Sequence, residues 1–122
     1  MLTAIVASVV LSGALPDADK VLGPDKMTLK VAHAFTTQEA HVRLQQLIDY
    51  WKNRFGVEQQ WAGDRVWVSG SIIGIDFKAF LEVKGDSVQC ESTDPGRLWR
   101  GFAQDYVAKK LKKYLHPKYE EP

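Results

Sequence analysis

The stretch Trp61-Ala62-Gly63-Asp64-Arg65-Val66-Trp67-Val68 places a Gly-Asp turn between two tryptophans. A turn of this composition, followed by alternating apolar residues, predicts entry into an antiparallel sheet. Because the stretch comes directly after an amphipathic helix, we expect both tryptophans to be buried where helix and sheet meet. It contains no group of reactive side chains and so indicates an architecture but no chemistry.

The segment before this stretch predicts a strand followed by a helix. Apolar alternation over residues 28–35 places His33 on the inward face with Leu29, Val31 and Phe35. Thr36 and Glu39 predict a capping box, in which the Thr36 hydroxyl accepts from the Glu39 amide and the Glu39 carboxylate reaches back. The helix ends at Gly56, and its apolar residues form one stripe: Ala40, Leu44, Leu47, Ile48, Trp51 and Phe55.

The segment after this stretch predicts further strands and a second helix. Alternating patterns indicate strands over 58–61, 65–72, 75–83 and 88–91. Asp94 followed by Pro95 predicts the start of the last helix, and Pro117 its end. The apolar side of that helix comprises Leu98, Trp99, Phe102, Tyr106, Val107, Leu111, Tyr114 and Leu115. This order predicts an α+β fold, an antiparallel meander sheet of three to five strands with two amphipathic helices packed on one face.

Composition predicts one globular domain. The chain has 122 residues, of which 45% are hydrophobic and 25% charged, and its net charge of +1 gives no reason to expect a nucleic-acid partner. We expect the domain over 27–116, a polar linker over 16–26 and a tail over 117–122.

Residues 1–15 are nearly all apolar but too short to span a bilayer. They are a weak export signal, a short docked helix, or an extension upstream of a true start at Met27. The cytoplasm is the expected compartment unless they act as a signal.

The titratable residues do not form a recognisable catalytic group. His33 is expected to be a hydrogen-bonded structural residue, and His41 is a polar residue near the helix cap. A metal site from His33, His41 and Glu39 is conceivable, but its spacing matches no known type. Cys90, the single cysteine, is expected to be a small core residue, and no disulfide can form within the chain. We expect no catalytic residue, no metal and no cofactor.

The C-terminal helix is strongly basic. From Arg97 onward there are seven basic residues and three acidic ones. Cations near a helix C-terminus favour the helix dipole, so a solvated face is the plain interpretation. The functional interpretation is a basic amphipathic surface that binds an anionic interface or partner. Its candidate contact residues are Arg97, Arg100, Lys109, Lys110, Lys112 and Lys113.

Several residues carry a resemblance through their order and spacing. They are His33, the run Thr37-Gln38-Glu39-Ala40 with Arg43, Arg54-Phe55-Gly56, Trp61-Ala62-Gly63-Asp64, Gly70, Gly74 and Lys113-Tyr114-Leu115. With them, residues 27–115 resemble the polyhydroxyalkanoic acid system family, small bacterial proteins whose genes accompany those for polyester storage granules. Two segments depart from the family pattern: Ile72-Ile73-Gly74 replaces a Val-Asp-Gly step, and Asp94-Pro95-Gly96 replaces a more apolar approach to the last helix. The family has no established catalytic residues.

The resemblance implies a non-enzymatic, cytoplasmic accessory protein of polyhydroxyalkanoate storage. It would bind the granule surface or a granule-associated partner through the basic helix. One alternative is a carrier of a small hydrophobic ligand, with a cavity between sheet and C-terminal helix lined by Trp67, Phe77, Phe80, Trp99 and Phe102. Another is a protein–protein module with an open sheet edge. Catalysis through His33 is the last of the alternatives.

Overall fold

The computed structural model describes residues 15–118. Its elements are α1 (Ala18–Leu22), β1 (Met27–Ala32), α2 (Thr37–Phe55), β2 (Glu58–Ala62), β3 (Arg65–Ile72), β4 (Ile75–Val83), β5 (Ser87–Ser92) and α3 (Arg100–Tyr114). The strands form one antiparallel sheet in the order β1-β5-β4-β3-β2. The α+β prediction is confirmed. The predictions for residues 1–14 and 119–122 lie outside the described residues.

Two tight turns set the register of the sheet. Ala62 pairs with Arg65, so the loop between β2 and β3 is Gly63-Asp64, and Gly63 has a φ of 62°. A positive φ at the first of two loop residues is typical of a type II′ hairpin turn, which favours glycine there. Ile72 pairs with Ile75, which leaves Ile73 and Gly74 as the loop between β3 and β4. Each turn matches the right-handed twist of the strands it joins.

The core lies between one face of the sheet and the helices α2 and α3. The predicted stripe of α2 is buried up to Trp51, and Phe55 is partly buried. On α3, Val107, Leu111 and Tyr114 are buried against the same face. The placement of both long helices on one face of the sheet is therefore confirmed.

The start of α2 differs from the prediction in one detail. The Thr36 hydroxyl accepts from the Glu39 amide at 3.0 Å, and Gly56 ends the helix with a left-handed φ of 74°, both as expected. The Glu39 carboxylate does not reach back to Thr36, and that half of the capping box was wrong. It accepts instead from Nε of Arg43 at 3.3 Å, one helical turn further on, where an i, i+4 ion pair is favourable.

The start of α3 was predicted wrongly. Asp94 and Pro95 precede a turn, and the helix begins six residues after Asp94, at Arg100. Gly96 has a left-handed φ of 101°, which a helix interior does not permit, and its amide donates to Oδ1 of Asp94 at 2.9 Å. The second carboxylate oxygen of Asp94 accepts from Arg100. Chiefly because of the Arg100 hydrogen bond, the pKa of Asp94 is below its usual value.

The polar segment before β1 was also predicted wrongly, because it is not all linker. Residues 18–22 form the helix α1, which Asp17 caps by accepting from the Asp19 amide at 3.0 Å. Leu22 is buried, and α1 contacts β4. Lys26 pairs with Glu91 of β5 at 2.9 Å. The amphipathic pattern is too short here to be read from sequence, since five residues make little more than one helical turn.

We expect Cys90 to be unreactive in the folded protein. The side chain is buried on β5, as predicted for a core residue, and burial raises the pKa of its thiol to about 12. Near pH 8 only about one thiol in ten thousand is then ionised, and only the thiolate attacks disulfide reagents. A colorimetric thiol assay should find no fast-reacting group in native protein and one in denaturant. Rapid labelling of the native protein would contradict this burial.

Candidate functional site

The exposed side of α3 carries a row of lysines. Lys109, Lys112 and Lys113 are exposed on this side and form what we call the basic stripe. Phe102 and Asp105 precede them at the spacing of the same helical face. Asp105 is the sole acidic residue of α3. This face therefore has a positive charge near its C-terminal end.

Two other predicted contact residues on α3 are engaged within the fold. The Lys110 ammonium lies 4.4 Å from the centre of the Tyr50 ring on α2 and 5.8 Å from that of Tyr106. Arg100 is held by Asp94. Arg97 is exposed in the turn that precedes the helix. Of the six predicted contact residues, only the three lysines of the basic stripe therefore lie together on one exposed face. Lys110 belongs to the contact between the two long helices.

Beside the first turn of α3 lies a second exposed group, which we call the apolar tip. It consists of Ile73 in the β3–β4 turn, Leu98 and Trp99 before the helix, and Phe102 within it. Their exposed fractions are 48%, 90%, 54% and 48%. Ile73 and Phe102 line the same shallow cleft, which joins the hairpin turn to the helix. Four large apolar side chains are therefore exposed around the β3–β4 turn and the start of α3.

Leu98, Trp99 and Phe102 were predicted on the packed apolar side of the last helix, which was wrong: all three are exposed, and the first two precede the helix. Ile73 and Leu98 were not identified as candidates for a surface site. A signal for them existed in the sequence. Ile73 lies in a two-residue hairpin loop and Leu98 follows an Asp-Pro-Gly turn, and turns of both kinds usually lie at the surface.

The five residues predicted to line a ligand cavity are not brought together around one cavity. Phe77 and Phe102 do line one cleft, but its volume is about 30 Å³, whereas ligand pockets usually hold some 300–1,000 Å³. Trp67 and Phe80 pair across β3 and β4, with ring centres 4.8 Å apart, on the sheet face opposite the long helices. The predicted common lining was therefore wrong, because these two side chains alternate with the core residues of their strands.

His33 has a structural position at the end of β1. Its Nδ1 accepts from the Phe35 amide at 3.0 Å, and its Nε2 lies 2.9 Å from the Lys84 carbonyl oxygen. The neutral ring with its proton on Nε2 satisfies both partners, since it then accepts at one nitrogen and donates at the other. His33 thus joins the chain leaving β1 to the β4–β5 turn.

Arg43 links the two long helices. Besides its pair with Glu39, its guanidinium donates to the main-chain oxygens of Tyr114 at 3.5 Å and His116 at 3.2 Å, and it lies over the Phe35 ring at 4.7 Å. The last carbonyl groups of a helix lack partners within that helix, and a cation there also favours the dipole. Arg43 is therefore a cap for the end of α3.

Trp61 connects the β2–β3 hairpin to α2. Its ring stacks on His41 with centres 3.9 Å apart, and its Nε1 donates to Oε1 of Gln45 at 2.8 Å. His41 Nδ1 lies 3.3 Å from a carboxylate oxygen of Asp64, next to Gly63 in the turn. This contact explains Trp61, Gly63 and Asp64 as structural residues. Trp61 is partly buried where helix and sheet meet, close to the expectation for both tryptophans, whereas Trp67 lies on the opposite sheet face and its expected position was wrong.

Within residues 15–118, no three His, Cys, Asp or Glu side chains approach closely enough to form a metal site. His33, His41 and Glu39 each have the partners described above and do not converge. No helix in the described part of the chain combines the length and the apolar character needed to cross a membrane.

Fold and surface together define a small α+β protein with a packed core, an exposed basic stripe and an exposed apolar tip. The chain belongs to the polyhydroxyalkanoic acid system protein family, whose model matches residues 27–118. No curated protein and no solved structure matches the chain. The family membership expected from the sequence is confirmed.

Proposed function

We propose that this protein is a non-enzymatic accessory protein of polyhydroxyalkanoate storage that binds the granule surface, or a granule-associated partner, through α3. The observation that carries the proposal is the basic stripe, a row of exposed lysines on a helix of a family tied to this storage system. A protein that acts by binding at the granule would work in the cytoplasm. Both ring nitrogens of His33, the histidine considered for catalysis, have structural partners, which supports a non-enzymatic role.

We expect the full-length protein to co-sediment with native polyhydroxyalkanoate granules. Replacing Lys109, Lys112 and Lys113 together by glutamate should weaken binding at least tenfold, since each lysine near an anionic surface contributes about 1 kcal/mol. Raised salt should weaken wild-type binding as well. Lys110 is left unchanged because its contact with Tyr50 supports the fold.

A matched control separates position from charge. Lys30, Lys52 and Lys78 are also exposed but lie on other elements, and their replacement by glutamate lowers the net charge equally. This control should bind like the wild type. Equal losses in both triple variants would show that net charge alone matters, and a folded wild type that stays out of the granule fraction would contradict direct attachment.

A further inference from the structure

The turn that carries Ile73 has an unusual residue at its first position. Ile73 has a φ of 54°, and Gly74 follows with a φ of 76°. A two-residue hairpin loop with positive φ at both residues is the type I′ turn, for which Asn-Gly and Asp-Gly are preferred. A β-branched residue is an outlier in this left-handed region. The chain therefore holds an isoleucine where the backbone disfavours it, and exposes nearly half of it.

The apolar tip and the basic stripe follow one another along the exposed face of α3. Leu98 and Phe102 are four residues apart, and Lys109 and Lys113 follow at helical spacing. With 1.5 Å per residue, Phe102 lies about 10 Å along the axis from Lys109 and about 16 Å from Lys113. Amphipathic segments at a lipid surface bury their apolar side chains by some 5–10 Å. With the axis of α3 perpendicular to the surface and its N-terminal end inserted to that depth, Lys109 would lie at the level of the headgroups.

The shape of the tip favours a fluid apolar layer over a protein groove. The tip protrudes from a hairpin turn and a helix start, and the cleft between them holds only about 30 Å³. Stable protein interfaces bury about 800 Å² on each partner, more than four exposed side chains provide. A tryptophan with its polar N–H is also well suited to the boundary between headgroups and apolar interior.

We propose that the apolar tip inserts into the surface layer of an amphiphile-coated apolar particle, while the basic stripe binds its anionic headgroups. This deepens the proposed function, on which it rests, by naming the surface that α3 meets. The occupant is a layer of anionic amphiphile over a hydrophobic phase. The positive charge of the basic stripe indicates that the headgroups are anionic. The exposed Ile73, held in a backbone conformation that disfavours isoleucine, indicates that the layer beneath them is apolar.

The test is flotation of the full-length protein with triolein droplets coated by phosphatidylcholine and phosphatidylglycerol. The first variant is Ile73→Asn, which gives the turn its preferred Asn-Gly pair. We expect its droplet binding to be about tenfold weaker, while its urea midpoint rises because the left-handed residue is no longer β-branched. Lower binding by a more stable protein cannot come from misfolding.

Two further variants complete the series. Leu98→Ser with Phe102→Ser should abolish flotation, whereas Val42→Ser, which removes an exposed apolar side chain on α2, should change nothing. Droplets coated with phosphatidylcholine alone should bind the wild type more weakly, because the stripe then lacks its counter-charge. Wild-type flotation by the Ile73 variant and the double variant would overturn insertion.

Parallel sedimentation with native granules separates the two proposals. Binding to droplets but not to granules would support insertion and contradict the granule role. Binding to granules but not to droplets would overturn insertion, leave the granule role standing and point to a granule protein as partner. Loss of binding in the lysine variant alone, with the tip variants unaffected, would overturn insertion in favour of a purely electrostatic contact.

Discussion

Replacement of Trp51 by alanine is expected to lower the free energy of unfolding by about 3–5 kcal/mol, the usual cost of removing a buried tryptophan. Trp51 is fully buried on α2, and its ring meets Phe77 of β4 edge-on with centres 5.6 Å apart. Its Nε1 donates to the Tyr106 hydroxyl of α3 at 3.2 Å. One side chain therefore joins both long helices to the sheet, and its loss leaves a cavity among them. Urea denaturation followed by far-ultraviolet circular dichroism measures the change.

Conservative variants distinguish packing from the hydrogen bond. Trp51→Phe keeps an aromatic ring but removes the donor, and Tyr106→Phe removes the acceptor. A double-mutant cycle should give a coupling energy of about 1 kcal/mol between them, typical of one hydrogen bond. A loss below about 1 kcal/mol for Trp51→Ala would mean that α2 and α3 do not close over the sheet as described.

Gly70→Ala is expected to be the second large loss, about 1–3 kcal/mol, the usual cost of overpacking. A Cβ atom at Gly70 would lie 2.9 Å from Cγ1 and 3.0 Å from the main-chain Cα of Val57. Val57 is buried between the end of α2 and the start of β2, and a main-chain atom cannot rotate aside. A glycine inside a strand commonly marks such a close backbone approach. Thermal and urea denaturation both report the loss.

Gly85→Ala is the matched control for this substitution. Gly85 lies in the β4–β5 turn, and an added Cβ there would have no neighbour within 4 Å. The control should be neutral or slightly stabilising, because alanine reduces the freedom of the unfolded chain. A neutral Gly70→Ala would show that β2 can shift away from β3 at little cost.

The residues behind the family resemblance turn out to support the fold. Arg43 caps α3, Trp61 joins the hairpin to α2, and His33 holds the end of β1. Their types were visible in the sequence, but their partners are distant in the chain: Arg43 reaches a carbonyl 73 residues away. Such contacts depend on how the helices cross the sheet, so spacing along the chain could not predict them.

The candidate surface was predictable only in part. Exposure of the lysines on α3 follows from helical periodicity, and the three of the basic stripe are confirmed as exposed. The position of Lys110 depends on packing, because its ammonium lies over the Tyr50 ring of α2. Helical periodicity assigned Leu98, Trp99 and Phe102 to the packed side of the last helix, because the pattern does not show that the helix begins only at Arg100.

Local patterns were enough to establish the α+β class, the end of α2 at Gly56 and the places of the hairpin turns, because periodicity, caps and turns depend on near neighbours. They left open which edge of the sheet β1 occupies. In the structure β1 pairs with β5 rather than with β2. They also left open which sheet face the long helices cover at each strand. That choice places Trp67 and Phe80 on the sheet face opposite the long helices. Tertiary packing decides these points, because a strand offers two faces and two edges and only the rest of the chain selects among them.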